Sequence, residues 1–259
     1  LNILRPDLFP SFWNYAMEFC SPKRTIWGWD FRGASRLDEL HTLLSRELMI
    51  RRRKEDVLAE LPSKQRSVVP LELSSKEEYI EARDNFAAWL TENAPGKLHK
   101  ALHAEALVKL GYLKRLAARL KLPAALHWID DFLAESEEKI ILFAVHKKII
   151  SRLKERYGKL CVVVDGSVTG RKRQQAVDKF QRDNACRIFI GNIKAAGVGL
   201  TLTAASILAF VELAWTPGEH EQCEARPHRI GTKKNVSIYY LVARGTVEEK
   251  LAQLLQDKS

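Results

Sequence analysis

The stretch QCEARPHRIGT, residues 222–232, sets Gln222, Arg226 and Arg229 at spacings of four and three, with His228 between the arginines. Two guanidiniums three residues apart offer a fork of donors suited to oxyanions. The same spacing also describes a solvated helix face, with both side chains in water. Other candidates for chemistry fall away on context. DELH at 38–41 imitates a nucleotide-hydrolysing acid box, but it lies inside a leucine-periodic helix and not at the end of a buried strand. His99 and His103 have the spacing of zinc-protease histidines, but Lys100 stands where the glutamate belongs and would repel a metal. GSVTG at 166–170 has no central serine, so it is not a hydrolase elbow.

The elements that must position the arginines are legible in the second half of the chain. The apolar runs IILFAV (140–145), CVVV (161–164), RIFI (187–190), ILAFVEL (207–213) and VSIYYLV (236–242) alternate with amphipathic stretches. This alternation predicts buried parallel strands with helices on both faces of one sheet. Ligands gather at the carboxyl ends of such strands. His146-Lys147-Lys148, Asp165-Gly166-Ser167, Gly191-Asn192 with Lys194 through Thr201, and the Trp215-Thr-Pro-Gly turn follow these runs. The polar, basic and glycine-rich residues are therefore expected on one edge of the sheet, where backbone N–H groups and short hydroxyls suit phosphate oxygens.

Residues 1–137 are mainly helical in pattern. Pro10-Ser11 opens a helix to about Cys20, and Ser35 is expected to cap RLDELHTLLSREL. RSVVPLEL alternates weakly, as a strand would. Ser74-Ser75 starts a helix that Pro95-Gly96 ends, and Pro123 is expected to split two further helices, 98–121 and 123–136.

The bulk numbers are ordinary for a soluble globular protein: 46% hydrophobic and 29% charged among 259 residues. A net charge of +10 favours a polyanionic partner, nucleic acid first and acidic lipid second. The four cysteines, at 20, 161, 186 and 223, form no CxxC pair, so no zinc knuckle or redox motif is visible. Cys161 and Cys186 sit in apolar runs as small core residues. The chain reads as intracellular and reduced, without a transmembrane run, and it opens as if cut from a longer protein.

Taken together, DGS (165–167), AAGVGLTLTAAS (195–206) and Gln222-x-x-x-Arg226-x-His228-Arg229-Ile230-Gly231 resemble the second RecA-like lobe of superfamily 2 helicases of the SWI/SNF-like ATPase branch. MIRRRKEDVLAELPSK (49–64) resembles that family's brace between lobes. WDFRGASRLDELHTLLS looks most like the annealing-helicase subgroup, which rewinds DNA and reverses stalled forks. The resemblance implies three regions: 1–65, the end of the first-lobe region with the brace; 66–137, a strand and helical protrusion of the second lobe; and 138–259, a RecA-like parallel sheet flanked by helices. It departs at Ala225, where the family usually has Asp, and at Thr232, where it usually has Gln.

The resemblance also assigns roles. ATP with Mg2+ would lie between two lobes, and this lobe would supply Arg229 first, and Arg226 second, to the γ-phosphate. Planar guanidiniums stabilise the charge that spreads over the equatorial oxygens in phosphoryl transfer. Gln222 would orient or bridge in the same site, and His228 would be packing. Gly197 and Gly199 belong to a loop that senses nucleotide and contacts the nucleic-acid backbone. Thr201, Ser167, His146, Lys147 and Lys194 are the DNA candidates. Each lysine reads equally well as a solvated helix-start charge. The sequence holds no G-x-x-x-x-G-K-[ST], so the phosphate cradle and metal acids would come from the first lobe. The implied partners are DNA, without base reading, and that first lobe. The alternatives are a decayed nucleic-acid or protein binding module, which Ala225 and Thr232 would fit, and a nucleotide-binding regulatory domain unrelated to DNA.

Overall fold

The structure is a computed structural model, and it describes residues 1–50, 58, 60–86, 106–197, 199–232 and 234–256. RRRK (51–54), the Pro95-Gly96 helix end and the His99/His103 pair lie outside the described residues. The chain forms two compact units, Leu1–Glu60 and Leu61–Ser259.

In the first unit, α1 (Phe12–Phe19) starts at Ser11, whose hydroxyl accepts from the Asn14 N–H. A hairpin of β1 (Lys23–Thr25) and β2 (Gly28–Asp30) follows, then α2 (Leu37–Glu47). Ser35 does not cap α2. The cap position is Arg36, in the left-handed region, while the Ser35 hydroxyl accepts from Ser21 N and donates to Glu18 O. The hydroxyl is consumed in tying the hairpin's exit to α1, so it is lost to the helix.

The second unit holds a six-stranded all-parallel sheet in the order β3-β8-β7-β4-β6-β5. Its strands are β3 (Lys64–Leu71), β4 (Ile140–Ala144), β5 (Cys161–Val164), β6 (Ile188–Asn192), β7 (Ile207–Phe210) and β8 (Val236–Ala243). β4 at the centre is buried along its whole length. Its side chains alternate between two cores: Ile141 and Phe143 face one, and Ile140, Leu142 and Ala144 the other. The weakly alternating RSVVPLEL segment is the edge strand β3. Its exposed side explains the alternation, and an edge position tolerates Pro70.

The helices are α3 (Lys76–Asp84), α4 (Ala106–Glu135), α5 (Lys147–Tyr157), α6 (Gly170–Arg182), α7 (Ile193–Ala196), α8 (Pro217–Glu224) and α9 (Val247–Gln256). Pro123 does not split the helical run: α4 is continuous through it. An interior proline costs about 3 kcal/mol. Leu120, Ala125 and Ile129 are buried on either side of it, and this packing keeps the two halves in one helix. Deeper in the same helix, Lys121 Nζ donates to Glu248 Oε2 (2.6 Å) and to Leu241 O (2.5 Å), with both charged side chains at 0% exposure. Glu248 Oε2 also accepts from Ala243 N, so the pair joins α4, the end of β8 and the start of α9.

Candidate functional site

Two groups of the residues singled out in the sequence gather in the second unit, and they lie at different places on the sheet. The first group occupies the carboxyl rim of β4, β6 and β5. At the end of β6, Asn192 Nδ2 donates to Val145 O (2.7 Å), and Asn192 Oδ1 accepts from Lys194 N and Ala195 N to cap α7. At the end of β5, Asp165 Oδ1 accepts from Ser167 N (2.9 Å) and from the Ser167 hydroxyl (2.5 Å). These bonds, with nearby Lys147, hold the Asp165 carboxyl below its ordinary range. Lys147 and Lys194 are exposed on the same rim.

His146 sits there too, with its ring committed to an acid. Its Nδ1 meets Glu212 Oε1, and Glu212 Oε2 accepts from Val145 N and His146 N, both at 2.8 Å. Burial works to raise the Glu212 pKa, but the His146 ring and the two N–H groups outweigh it and leave the carboxyl below its ordinary value. Glu212 went unread in the sequence, although a carboxylate inside the apolar run ILAFVEL was a visible signal.

The turn after β7 is built by a second unread residue. Thr216 caps α8, and Pro217 occupies its first position. His220, buried, accepts from Ala214 N through Nε2 (3.1 Å) and meets Thr216 O through Nδ1 (2.9 Å), which fits the neutral ring. Burial lowers its pKa. Trp215 lies over the buried Lys114 ammonium, 4.3 Å from the ring centroid. Burial brings that lysine down to about 8.

The second group sits at the far end of α8, a helix about 12 Å long by the α-helical rise. Glu224, its last residue, is 1% exposed and accepts from Lys64 Nζ (2.7 Å), from Nε and Nη2 of Arg66 (2.9 Å each) and from the Tyr240 hydroxyl (2.6 Å). Lys64 opens β3, so this contact pins the arginine turn toward the amino ends of the strands. The expectation that all polar residues share one edge is therefore corrected: α8 starts at the rim and carries Arg226 and Arg229 away from it. Gly231 and Thr232 border an open cleft of about 600 Å³ with Glu137, Glu138 and Lys139, the residues leading into β4.

There the arginines meet the glycine-rich loop. Arg226 Nε donates to Gln222 O (2.7 Å) and its Nη1 to Leu200 O (3.2 Å). Arg229 Nη1 donates to Leu200 O (3.4 Å) and to Thr201 Oγ1 (3.1 Å). Leu202 N closes the loop onto Arg226 O (3.1 Å). Thr201 is thus brought to the arginines and not to the lysines of the rim. The two glycines act differently. A Cβ at Gly197 would meet Ile193 O at 2.4 Å and Cys223 Sγ at 3.2 Å, so Gly197 lets the loop pack on α8; Gly199, at φ +72, supplies a backbone reversal in open space. Thr232 stitches the turn, accepting from Arg229 N (3.1 Å) and donating to Pro227 O (2.5 Å), and His228 Nε2 meets Pro62 O at 2.8 Å.

Among the described residues, neither Arg226 nor Arg229 meets a carboxylate within ion-pair distance. Burial, then the neighbouring charges of Arg229 and Arg173, lower the Arg226 pKa. Arg173, whose Nη2 donates to Ala195 O, places a third guanidinium near the same loop. Arg226 and Arg229, with oxygen partners and no acid among the described residues, have a chemistry that suits an anion. No group of three or more His, Cys, Asp or Glu among the described residues is placed to hold a metal.

Comparison with known proteins agrees with the fold. The helicase conserved C-terminal domain family matches residues 123–231. A SWI/SNF-related matrix-associated actin-dependent regulator of chromatin subfamily A-like protein 1 of Xenopus tropicalis is 38% identical over 98% of this chain, and DNA annealing helicase and endonuclease ZRANB3 of Homo sapiens is 35% identical over all of it. The chain spans about a quarter of each relative, 27% and 24%. Among solved structures, the C-terminal part of the Fun30 ATPase domain aligns at TM-score 0.62 with 18% identity, covering 75% of this chain and 90% of that one. The Sulfolobus solfataricus SWI2/SNF2 ATPase core in complex with dsDNA aligns at TM-score 0.57 with 23% identity, covering 99% and 56%. The chain belongs to the SWI/SNF-like branch of superfamily 2, as a helicase C-terminal domain related to the annealing helicases.

Proposed function

We propose that this chain is the second motor lobe of a DNA-dependent ATPase that translocates on DNA in annealing or fork remodelling. Arg229 and Arg226 complete a triphosphate pocket whose phosphate cradle belongs to the first lobe. The observation that carries this reading is the pair Arg226 and Arg229 at Leu200 and Thr201, which hold carbonyl and hydroxyl oxygens and, among the described residues, no carboxylate. It fits the terminal phosphates of ATP. Nothing in it fits a resident Mg2+, in keeping with metal acids on the first lobe. Bound ATP would supply the phosphoryl group for transfer. The residues of this chain orient and neutralise: Arg229 presents its planar guanidinium, Arg226 backs it from Leu200, and the Gln222 backbone carbonyl holds Arg226.

Anchoring supports a working motif over a decayed one. Ala225 lacks the family's carboxylate, but its neighbour Glu224 ties α8 to β3 and β8, and Thr232 fastens the Arg229 backbone. DNA is proposed to run along the rim, where Lys147, Lys194 and Ser167 offer phosphate contacts without base reading. His146 is fixed there by Glu212, and Thr201 joins the loop to the arginine side.

The test is DNA-stimulated ATPase of the full-length protein. Arg229→Ala should lower turnover about a thousandfold or more with ATP binding retained. Arg226→Ala should cost less. An Arg229→Ala protein that hydrolyses ATP at the native rate removes the finger assignment.

A further inference from the structure

The hairpin of the first unit has no place in the motor reading so far, and its tip is unusual. The two residues between β1 and β2 are Ile26 and Trp27, each 92% exposed. Two-residue hairpin loops favour Gly, Asn and Asp, because those residues accept the turn's backbone and like water. Here the turn is arranged so that bulky residues fit. Gly28 takes the positive φ (+110), and neither Ile26 nor Trp27 does. The Thr25 hydroxyl donates to Gly28 O (2.7 Å) and accepts from Trp27 N (3.2 Å), closing the loop from within.

The stem is braced. Trp29 stands edge-on to Trp13 of α1 (5.9 Å) and stacks on Phe31 (6.2 Å, 10°), and Trp13 and Phe12 both pack edge-on against Phe31. Charge completes the pattern. Residues 21–36 contain four cations, Lys23, Arg24, Arg32 and Arg36, and one acid, Asp30. Arg32 engages Asp30 in a bidentate pair through Nε and Nη2 (2.9 and 2.8 Å). Lys23 and Arg24 are exposed on β1 directly below the tip.

We propose that the Ile26–Trp27 tip stacks on an unpaired base where a nucleic-acid duplex opens into single strands, with Lys23 and Arg24 on the flanking phosphates. A tryptophan face with cations beside it suits a base with its backbone, because every base has a π-face and every step a phosphate. An intact duplex offers no free face, so the contact acts at junctions. This inference rests on the motor reading for its setting, since a lobe that moves DNA meets such junctions.

The experiment measures equilibrium binding of the full-length protein without ATP, so a failed ATPase assay does not decide it. The probes are a forked DNA carrying 2-aminopurine at the junction and a covalently closed circular duplex. Trp27→Ala should weaken fork binding about tenfold and abolish the 2-aminopurine quenching. Binding to the closed circle should stay at the native level, and Trp27→Phe should restore most of both losses. Trp27 is in solvent, so thermal unfolding of the variant should match the native protein. Native fork binding by Trp27→Ala overturns the proposal and leaves the tip to a protein partner. An equal loss on fork and closed circle also overturns it, because the hairpin would then be a general support.

Discussion

Arg226 and His220 show how single side chains are tuned for the site. Arg226 keeps its charge among like charges because carbonyl oxygens take its donors. His220 is held neutral because its two ring nitrogens face one backbone donor and one backbone acceptor. Its folded pKa lies below its ordinary 6.5 through burial. Below pH 6.5 the unfolded chain takes a proton that the folded chain refuses. Stability that is full above 6.5 is therefore lost as pH falls toward the folded pKa, with a slope of up to about 1.4 kcal/mol per pH unit. Denaturant unfolding of the native chain and of His220→Gln, measured between pH 7.5 and 5, should show a shallower decline for the variant. Parallel curves would free His220 of this role.

At the scale of elements, the strands were legible because a parallel sheet buried on both faces leaves continuous apolar runs. CVVV is β5 to the residue, and VSIYYLV falls one residue short of β8. What hid was everything decided by tertiary partners. Pro123 reads as a break and is carried inside a helix by burial on both sides; Ser35 reads as a cap and is spent on the hairpin. The arginines were legible by type and spacing, but their place was not. It depends on Glu224 reaching β3, a contact across 160 residues. Lys121 is a similar case, since in sequence it is one more helix lysine. Removing one partner of a buried pair leaves an uncompensated charge, so Lys121→Met should cost about 3–5 kcal/mol, whereas Lys121→Met with Glu248→Leu should recover most of it. Urea unfolding of the three variants, singles and double, checks this. Additive losses would mean the two charges are not coupled.

Across the second unit as a whole, the fold separates two anion-seeking places by the length of one helix. α8 begins at the rim, beside Trp215 and the Ala214–Thr216 turn, and ends at the guanidinium cluster. One short rigid element thus touches both the strand ends that face DNA in the proposed reading and the arginines that face phosphate. Such an arrangement allows a change at one end to be felt at the other without rearranging the sheet, which is buried and close-packed. It also makes the two ends separable by experiment. Lys147 and Lys194 are solvent-exposed cations at the rim, and each phosphate they neutralise releases counterions. In duplex DNA binding by the full-length protein without nucleotide, Lys194→Ala and Lys147→Ala should each reduce the slope of log K against log salt by about one. Arg226→Ala and Arg229→Ala should leave that slope unchanged, because their donors are turned to Leu200 and Thr201 at the other end of α8. A slope reduced by the arginine variants as much as by the lysine variants would place DNA on the cluster itself and merge the two sites into one.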